Sequence, residues 1–147
     1  MAHQDFAFFH PLRVRFAEVD MQAVVFNGHF LTYFDVALTE YWRAVKLPSP
    51  VEQAKDGCEF FVKKATLEYH APAKFDDLLD IGVRTSKVGN SSLVILLEIY
   101  RDTQLIVSGE MIYVYFNTQE AKSTPIPTRW VEMLCEFETI AIQKIIN

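Results

Sequence analysis

Cysteine is scarce in this chain. Cys58 and Cys135 are the only two among 147 residues. Two cysteines do not make a disulfide framework, and these two lack metal-ligand spacing. The four histidines (His3, His10, His29 and His70) contain no H-x-x-x-H pair, which argues against a zinc site. A basic excess is also missing: 14 Lys and Arg stand against 19 Asp and Glu, a net charge of −5, so no nucleic-acid partner is expected. No apolar run reaches the roughly 18 residues that a membrane span needs. The start, M-A-H-Q-D-F-A-F-F-H, lacks the basic and apolar regions of a secretory signal. These absences predict a cytoplasmic protein with no membrane partner. There is no G-x-S-x-G, hence no nucleophile elbow, and no G-x-G-x-x-G or G-x-x-x-x-G-K-[ST], hence no nucleotide fingerprint. With no repeat, low-complexity tract or dividing linker, residues 1–147 are expected to form one domain.

Apolar residues, by contrast, are plentiful: half the chain is hydrophobic, enough for a sizeable core. The stretch from Arg13 to Lys46 organises it. Leu12, Val14 and Phe16 alternate with Arg13 and Arg15, which predicts a first strand over Pro11 to Asp20. After a short connector, Phe30, Phe34, Ala37, Leu38, Tyr41 and Val45 repeat at helical spacing. A helix from Gly28 to Lys46 is predicted, capped by Asn27 and stopped before Pro48. Nineteen residues make a rod of roughly 28 Å, long enough to need a sheet against its apolar face.

The remainder reads as strands. Glu59 to Tyr69, Leu78 to Val88, Ser92 to Tyr100 and Leu105 to Phe116 are each strand-like. Turn signals separate them at Ala71-Pro72-Ala73, Asp76-Asp77, Gly89-Asn90-Ser91 and Arg101 to Gln104. The connector Leu47 to Gly57 has room for a short helical turn. Thr128 is placed to cap a short helix from Arg129 to about Phe137, and the apolar tail A-I-Q-K-I-I-N is expected to pack back. Tight turns make antiparallel neighbours, so the fold class is α+β. The last strand carries apolar residues on both faces, with Ile106, Ile112, Val114 and Phe116 on one and Val107, Met111, Tyr113 and Tyr115 on the other. One face suits the helix, and the other points to an oligomer.

Asp20 is the candidate for chemistry. It lies between a strand and a helix start, where backbone N–H groups lack intrahelical partners and the macrodipole is positive. Such donors suit a carbonyl oxygen that becomes an oxyanion. A carboxylate nearby can activate water or attack the carbonyl itself. The same spacing also fits a plain role, capping a turn or pairing with Arg13 or Arg15.

Two motifs carry a resemblance. The run R-V-R-F-A-E-V-D-M-Q-A-V-V-F-N-G-H-F from Arg13, followed by T-Y-F-D-V-A-L-T-E-Y-W-R, resembles the signature of the hotdog-fold acyl-CoA thioesterases of the 4-hydroxybenzoyl-CoA thioesterase family. L-E-Y-H-A-P-A-K-F-D-D-L-L-D from Leu67 and the hairpin at Lys87 to Ser92 are similar to that family's later elements. The resemblance covers about residues 10 to 118. It implies a hotdog fold, a long helix wrapped by an antiparallel five-stranded sheet. It also implies hydrolysis of an acyl-CoA, or of an acyl group on a carrier protein, without cofactor or metal. A non-catalytic acyl-binding domain is the alternative, and a hotdog dehydratase a more distant one. The resemblance makes Asp20 the catalytic carboxylate and the backbone N–H groups of Asn27 and Gly28 the oxyanion donors. Sheets of two subunits pair edge to edge in such enzymes, with active sites at the interface, as dimers or tetramers. Candidate substrate contacts are Val25, Phe26, His29 and Tyr33; core packing suits Phe34 better. Candidates for the coenzyme A phosphates are Lys63, Lys64, Arg84 and Lys87. Glu40 could imitate the helix glutamate of another hotdog branch. One departure stands out: Ala23 occupies a position where the family usually has glycine. If that position needs a positive φ, alanine there costs of order 1 kcal/mol.

Overall fold

Residues 2–145 are described by the computed structural model of this chain. Five long elements build an antiparallel sheet around one helix. The strands are β1 (Phe9–Arg13), β2 (Cys58–Tyr69), β3 (Leu78–Val88), β4 (Ser92–Arg101) and β5 (Gln104–Asn117). Their order across the sheet is β1-β3-β4-β5-β2. Two short strands pair with inner strands of this order: β6 (Lys122–Ser123) with β5 and β7 (Gln143–Lys144), in parallel, with β3. The helices are α1 (His29–Val45), α2 (Pro50–Ala54) and α3 (Thr128–Phe137). This is the expected hotdog arrangement, and no helix among the described residues is long and apolar enough to cross a membrane.

The apolar stripe of α1 explains its place. Tyr33, Phe34, Ala37 and Tyr41 are fully buried on it, facing Leu79, Ile81, Val83, Leu93, Ile95, Leu97 and Ile99 of the sheet. Lys46 ends the helix in a left-handed conformation at φ 69°, and Leu47 N–H then reaches back to the Trp42 carbonyl at 3.0 Å. Such a reversal satisfies carbonyls left open at a helix end. The helix begins one residue later than predicted. Gly28, with helical dihedrals, is its N-cap, and Asn27 lies just outside.

The first strand is shorter than its alternation suggested. It stops at Arg13, and Phe16–Glu18 form a 3-10 turn. The reason is Glu18, whose carboxylate reaches back to the Arg15 backbone N–H and pulls the chain out of extension. The other predicted strands agree with the structure to within two residues. Ser49 caps α2 together with Glu52. Thr128 does not cap α3: it is the first helical residue, and Pro127 is at the cap. The tail does pack back, with Ile145 N–H on the Val88 carbonyl at 2.8 Å; its last residues, Ile146 and Asn147, lie outside the described residues.

The two faces of β5 divide as its pattern implied except at Ile106, which was expected on the far face and is fully buried within the core cluster. Val107, Met111, Tyr113 and Tyr115 are buried beneath α1, whereas Ile112, Val114 and Phe116 are half-buried on the far face. The amino-terminal segment covers another part of that far face. Phe6 and Phe9 lie against Gly82, where an added Cβ would come within 2.8 Å of the Phe6 ring.

Candidate active site

Three segments converge at the start of α1. The first is the turn Asp20 to Val24. Asp20 N–H donates to the Val24 carbonyl at 2.9 Å, and Ala23 N–H donates to the Asp20 carbonyl at 3.0 Å. Asp20 Oδ1 accepts the Gln22 N–H at 2.8 Å, a local bond typical of aspartate in turns. Ala23 closes the turn at φ 62°. The position is left-handed, so the alanine carries the strain that glycine would avoid.

The second segment runs from Val25 to the helix. Val19 and Val25 form a bridge, Val25 N–H donates to the Ala73 carbonyl at 2.8 Å, and Phe26 N–H donates to the Glu18 carbonyl at 3.0 Å. His29 and Phe30 close tight turns onto the Phe26 and Asn27 carbonyls. Among the described residues the N–H groups of Asn27 and Gly28 donate to no protein acceptor. They are unsatisfied donors at the positive end of a seventeen-residue helix. Gly28 has a packing reason too: an added Cβ would lie 2.9 Å from the Phe26 ring.

The third segment is the end of β2 and the turn after it. Asp20, Val25, Asn27, Phe30, Tyr69 and Pro72 line one cavity of about 370 Å³. The Tyr69 hydroxyl lies 3.4 Å from the Asn27 carbonyl, and its ring meets Phe30 at 5.8 Å. Of the expected residues, the fold thus brings Asp20, Asn27 and Val25 together. Phe26, Gly28, His29 and Tyr33 lie outside this lining. His70, Ala71, Gln22 and Val24 belong to it and were not foreseen. The Y-H-A-P run had signalled the first two, through its likeness to the family's second motif.

Glu18 is a neighbour of Asp20 that the sequence pattern did not single out. It is 7% exposed. Its carboxylate accepts the Arg15 backbone N–H at 2.8 Å, the Arg15 guanidinium at 2.6 Å and the Tyr33 hydroxyl at 2.9 Å. Burial pushes this carboxyl up, but the bonds from Arg15 and Tyr33 outweigh it and hold it below the ordinary range. Burial, reinforced by the Glu18 hydrogen bond, pushes the Tyr33 phenol well up. Tyr33 is therefore a buried strut between α1 and the Asp20 turn, not a wall of the cavity. Arg15 is likewise taken up by Glu18 and forms no ion pair with Asp20.

Lys63 and Lys64 stand on β2, and Arg84 and Lys87 on β3; none lines the Asp20 cavity of its own chain. The Arg84 guanidinium lies over the Phe6 ring, 5.9 Å from its centre. Glu40 pairs with Arg43 on α1 and is also outside the cavity.

A carboxylate and open helix-start donors thus share one cavity, within the hotdog arrangement of a sheet wrapped round one helix. The profile of the thioesterase superfamily matches residues 22–108, and the chain belongs to that family. It is 28% identical over 118 residues to the acyl-CoA thioester hydrolase YbgC of Escherichia coli O157:H7, covering 80% of this chain and 87% of that protein. The acyl-CoA thioesterase YbgC of Haemophilus influenzae is 28% identical over 102 residues, 69% of this chain and 75% of that one. Among solved structures, the 1,4-dihydroxy-2-naphthoyl-CoA thioesterase Slr0204 of Synechocystis superposes with a TM-score of 0.81 at 21% identity, over 88% of this chain and 96% of that chain. A thioesterase of Thermus thermophilus, solved with coenzyme A and zinc, gives 0.81 at 24% identity over 95% and 99% of the two chains. At these identities the structures establish the shared fold.

Proposed function

We propose that this chain is a thioester hydrolase that cleaves acyl-CoA to the free acid and coenzyme A, with Asp20 as its catalytic carboxylate. The observation that carries the reading is the cavity that Asp20 shares with Asn27 at the helix start, where the N–H groups of Asn27 and Gly28 donate to no protein acceptor among the described residues. The family and the YbgC relatives support the thioester substrate. Asp20 Oδ1 is held by Gln22, and among the described residues Oδ2 has no hydrogen-bond partner, so it is free to meet a substrate or a water. In hydrolysis Asp20 removes a proton from water as the oxygen attacks the thioester carbon. The oxyanion rests on the Asn27 and Gly28 N–H groups. Collapse of the intermediate then breaks the C–S bond, and the departing thiolate takes up the proton. Direct attack by Asp20 is the other route; it forms an acyl anhydride as the C–S bond breaks and the coenzyme A thiolate leaves, and water then opens the anhydride. No step calls for a metal, because a thioester has little resonance to lose and the donors supply the charge stabilisation.

Replacing Asp20 by Asn keeps the turn's acceptor and removes the base. We expect kcat/KM for the best acyl-CoA in a broad panel to fall by about 10²-fold or more, with an unchanged circular dichroism spectrum. Wild-type turnover in the variant would falsify the role of Asp20. Wild-type protein that binds acyl-CoA yet hydrolyses no thioester would make the domain a binding module.

The proposal extends to assembly and location. The twelve residues of β2 are hydrogen-bonded on one side only, to β5. The open edge of β2 suits a second copy, and the same panel run with acylated carrier protein decides between the two acyl donors. The cytoplasm is the compartment that fits an acyl-CoA substrate.

A further inference from the structure

A second cavity lies away from Asp20. It holds about 310 Å³ where α1, α2, β2 and β5 meet, within the size range of small-molecule sites, roughly 300–1,000 Å³. It shares no lining residue with the Asp20 cavity. Asp35 of α1 and Glu59 of β2 stand in its wall, and among the described residues no lysine, arginine or histidine does. Neither carboxylate has an ion-pair partner among the described residues. Trp42 and Phe60, whose rings stack at 6.0 Å, supply an apolar wall.

Two buried polar side chains open onto the same space. Tyr113 is 7% and Gln53 4% exposed. Gln53 Nε2 donates to the Pro48 carbonyl at 2.8 Å, which fixes the amide and leaves Oε1 without a bond. The Tyr113 hydroxyl likewise has no hydrogen-bond partner among the described residues, yet none of their side-chain oxygens or nitrogens that is sealed inside the protein lacks one. Both oxygens therefore face the cavity that their residues line. Burial, reinforced by the Asp35 charge, pushes the Tyr113 phenol well up, so it stays neutral. Buried polar groups ordinarily have a partner. Here the open groups are two carboxylates, an amide oxygen and a phenol, with no cation among them.

We propose that this cavity binds a small primary amine in its ammonium form. An ammonium brings three N–H donors and no acceptor, the complement of Asp35, Glu59, Gln53 Oε1 and the Tyr113 oxygen. Its carbon body lies against Trp42 and Phe60, whose ring faces also attract a cation. A carboxylate or phosphate ligand would meet two like charges, and an apolar one would leave the oxygens unpaired. A metal ion is less suited, because no three His, Cys, Asp or Glu gather among the described residues. Amine binding here is independent of thioester cleavage at Asp20.

Calorimetry with 2-phenylethylamine, 2-phenylethanol and phenylacetate is the test, since the three share an aromatic body and differ in charge. The amine should bind the wild type, and the alcohol and the acid about tenfold or more weakly. Glu59→Gln and Asp35→Asn keep the side-chain size and remove the charge; each should weaken the amine about tenfold. Tyr113→Phe should weaken it several-fold with unchanged stability in urea, because the hydroxyl has no protein bond to lose. Asp20→Asn should leave amine binding as it is. A wild type that does not bind the amine overturns the proposal, and so does equal binding of the alcohol. A loss in Asp20→Asn, with Glu59→Gln and Asp35→Asn binding normally, overturns it by placing the amine in the other cavity. Amine binding seen only in Val62→Lys overturns it as well, by giving the cavity to a second copy of the chain.

Discussion

Glu18 lies two residues from Asp20, and the two carboxylates have opposite fates. Glu18 is buried under three donors, while Asp20 keeps one oxygen open to a cavity. Because the folded Glu18 carboxyl is held below its ordinary range, its contribution to stability is present above that range. It is lost as pH falls through the depressed folded value. Tyr33→Phe removes one of the donors that depress it. We expect a stability loss of about 1 kcal/mol and acid unfolding at higher pH, both read by circular dichroism, with a fall in kcat as the Asp20 turn loosens. Ala23 gives a second residue-scale prediction. Its φ of 62° means that Ala23→Gly relieves backbone strain, offset by the freer unfolded chain. Stability in urea unfolding should stay or rise by up to about 1 kcal/mol, and activity should persist. A clear loss of stability would show that the alanine is not strained there.

At the scale of elements, α1 is fitted to the sheet at one glycine. The Phe34 ring rests on Gly109, where an added Cβ would meet Phe34 Cε2 at 2.6 Å and the Thr66 carbonyl oxygen at 3.2 Å. Gly109→Ala should cost about 1–3 kcal/mol by overpacking, visible in urea unfolding. The other end of α1 is tied to α3. Glu138, just past α3, bonds the Tyr41 hydroxyl and the Thr85 backbone N–H. Burial raises its carboxyl above the ordinary range, against the lowering effect of those two bonds. A raised carboxyl has the opposite linkage from Glu18: stability is greatest when the group is protonated and declines as pH rises through the ordinary carboxylate range to the folded value. Glu138→Gln keeps an acceptor and cannot ionise. Its stability should therefore not fall from the ordinary carboxylate range towards neutral pH as the wild type's does. If the two pH profiles coincide, Glu138 carries no such burden.

For the whole molecule, the open edge of β2 matters most. Along it Phe61, Val62 and Tyr69 are 46%, 53% and 54% exposed. A long apolar edge invites pairing with another chain, and the Asp20 cavity lies at the Tyr69 end of this one. We expect a dimer at micromolar concentration by light scattering. Val62→Lys should shift it towards monomer, with activity falling in step. A fully active monomer would show that each chain's cavity is complete on its own.

Periodicity determined most of the fold before any tertiary contact was known. The stripe from Phe30 to Val45 and the four strand-like runs are local patterns, and burial of their apolar faces drives α1 onto the sheet whatever the details. Asp20 and the N–H groups at Asn27 were legible for a related reason, because a carboxylate beside a helix start is a sequence-local feature. What the sequence left open depends on contacts between distant segments. Glu18 and Tyr33 are fifteen residues apart, and only their meeting shows that Glu18, not Asp20, takes up Arg15. The Tyr69 wall of the cavity draws on a segment far along the chain from Asp20. The charges of Lys63, Lys64, Arg84 and Lys87 were legible in the sequence, but where these residues stand relative to the Asp20 cavity was decided by strand order and register, which long-range packing sets.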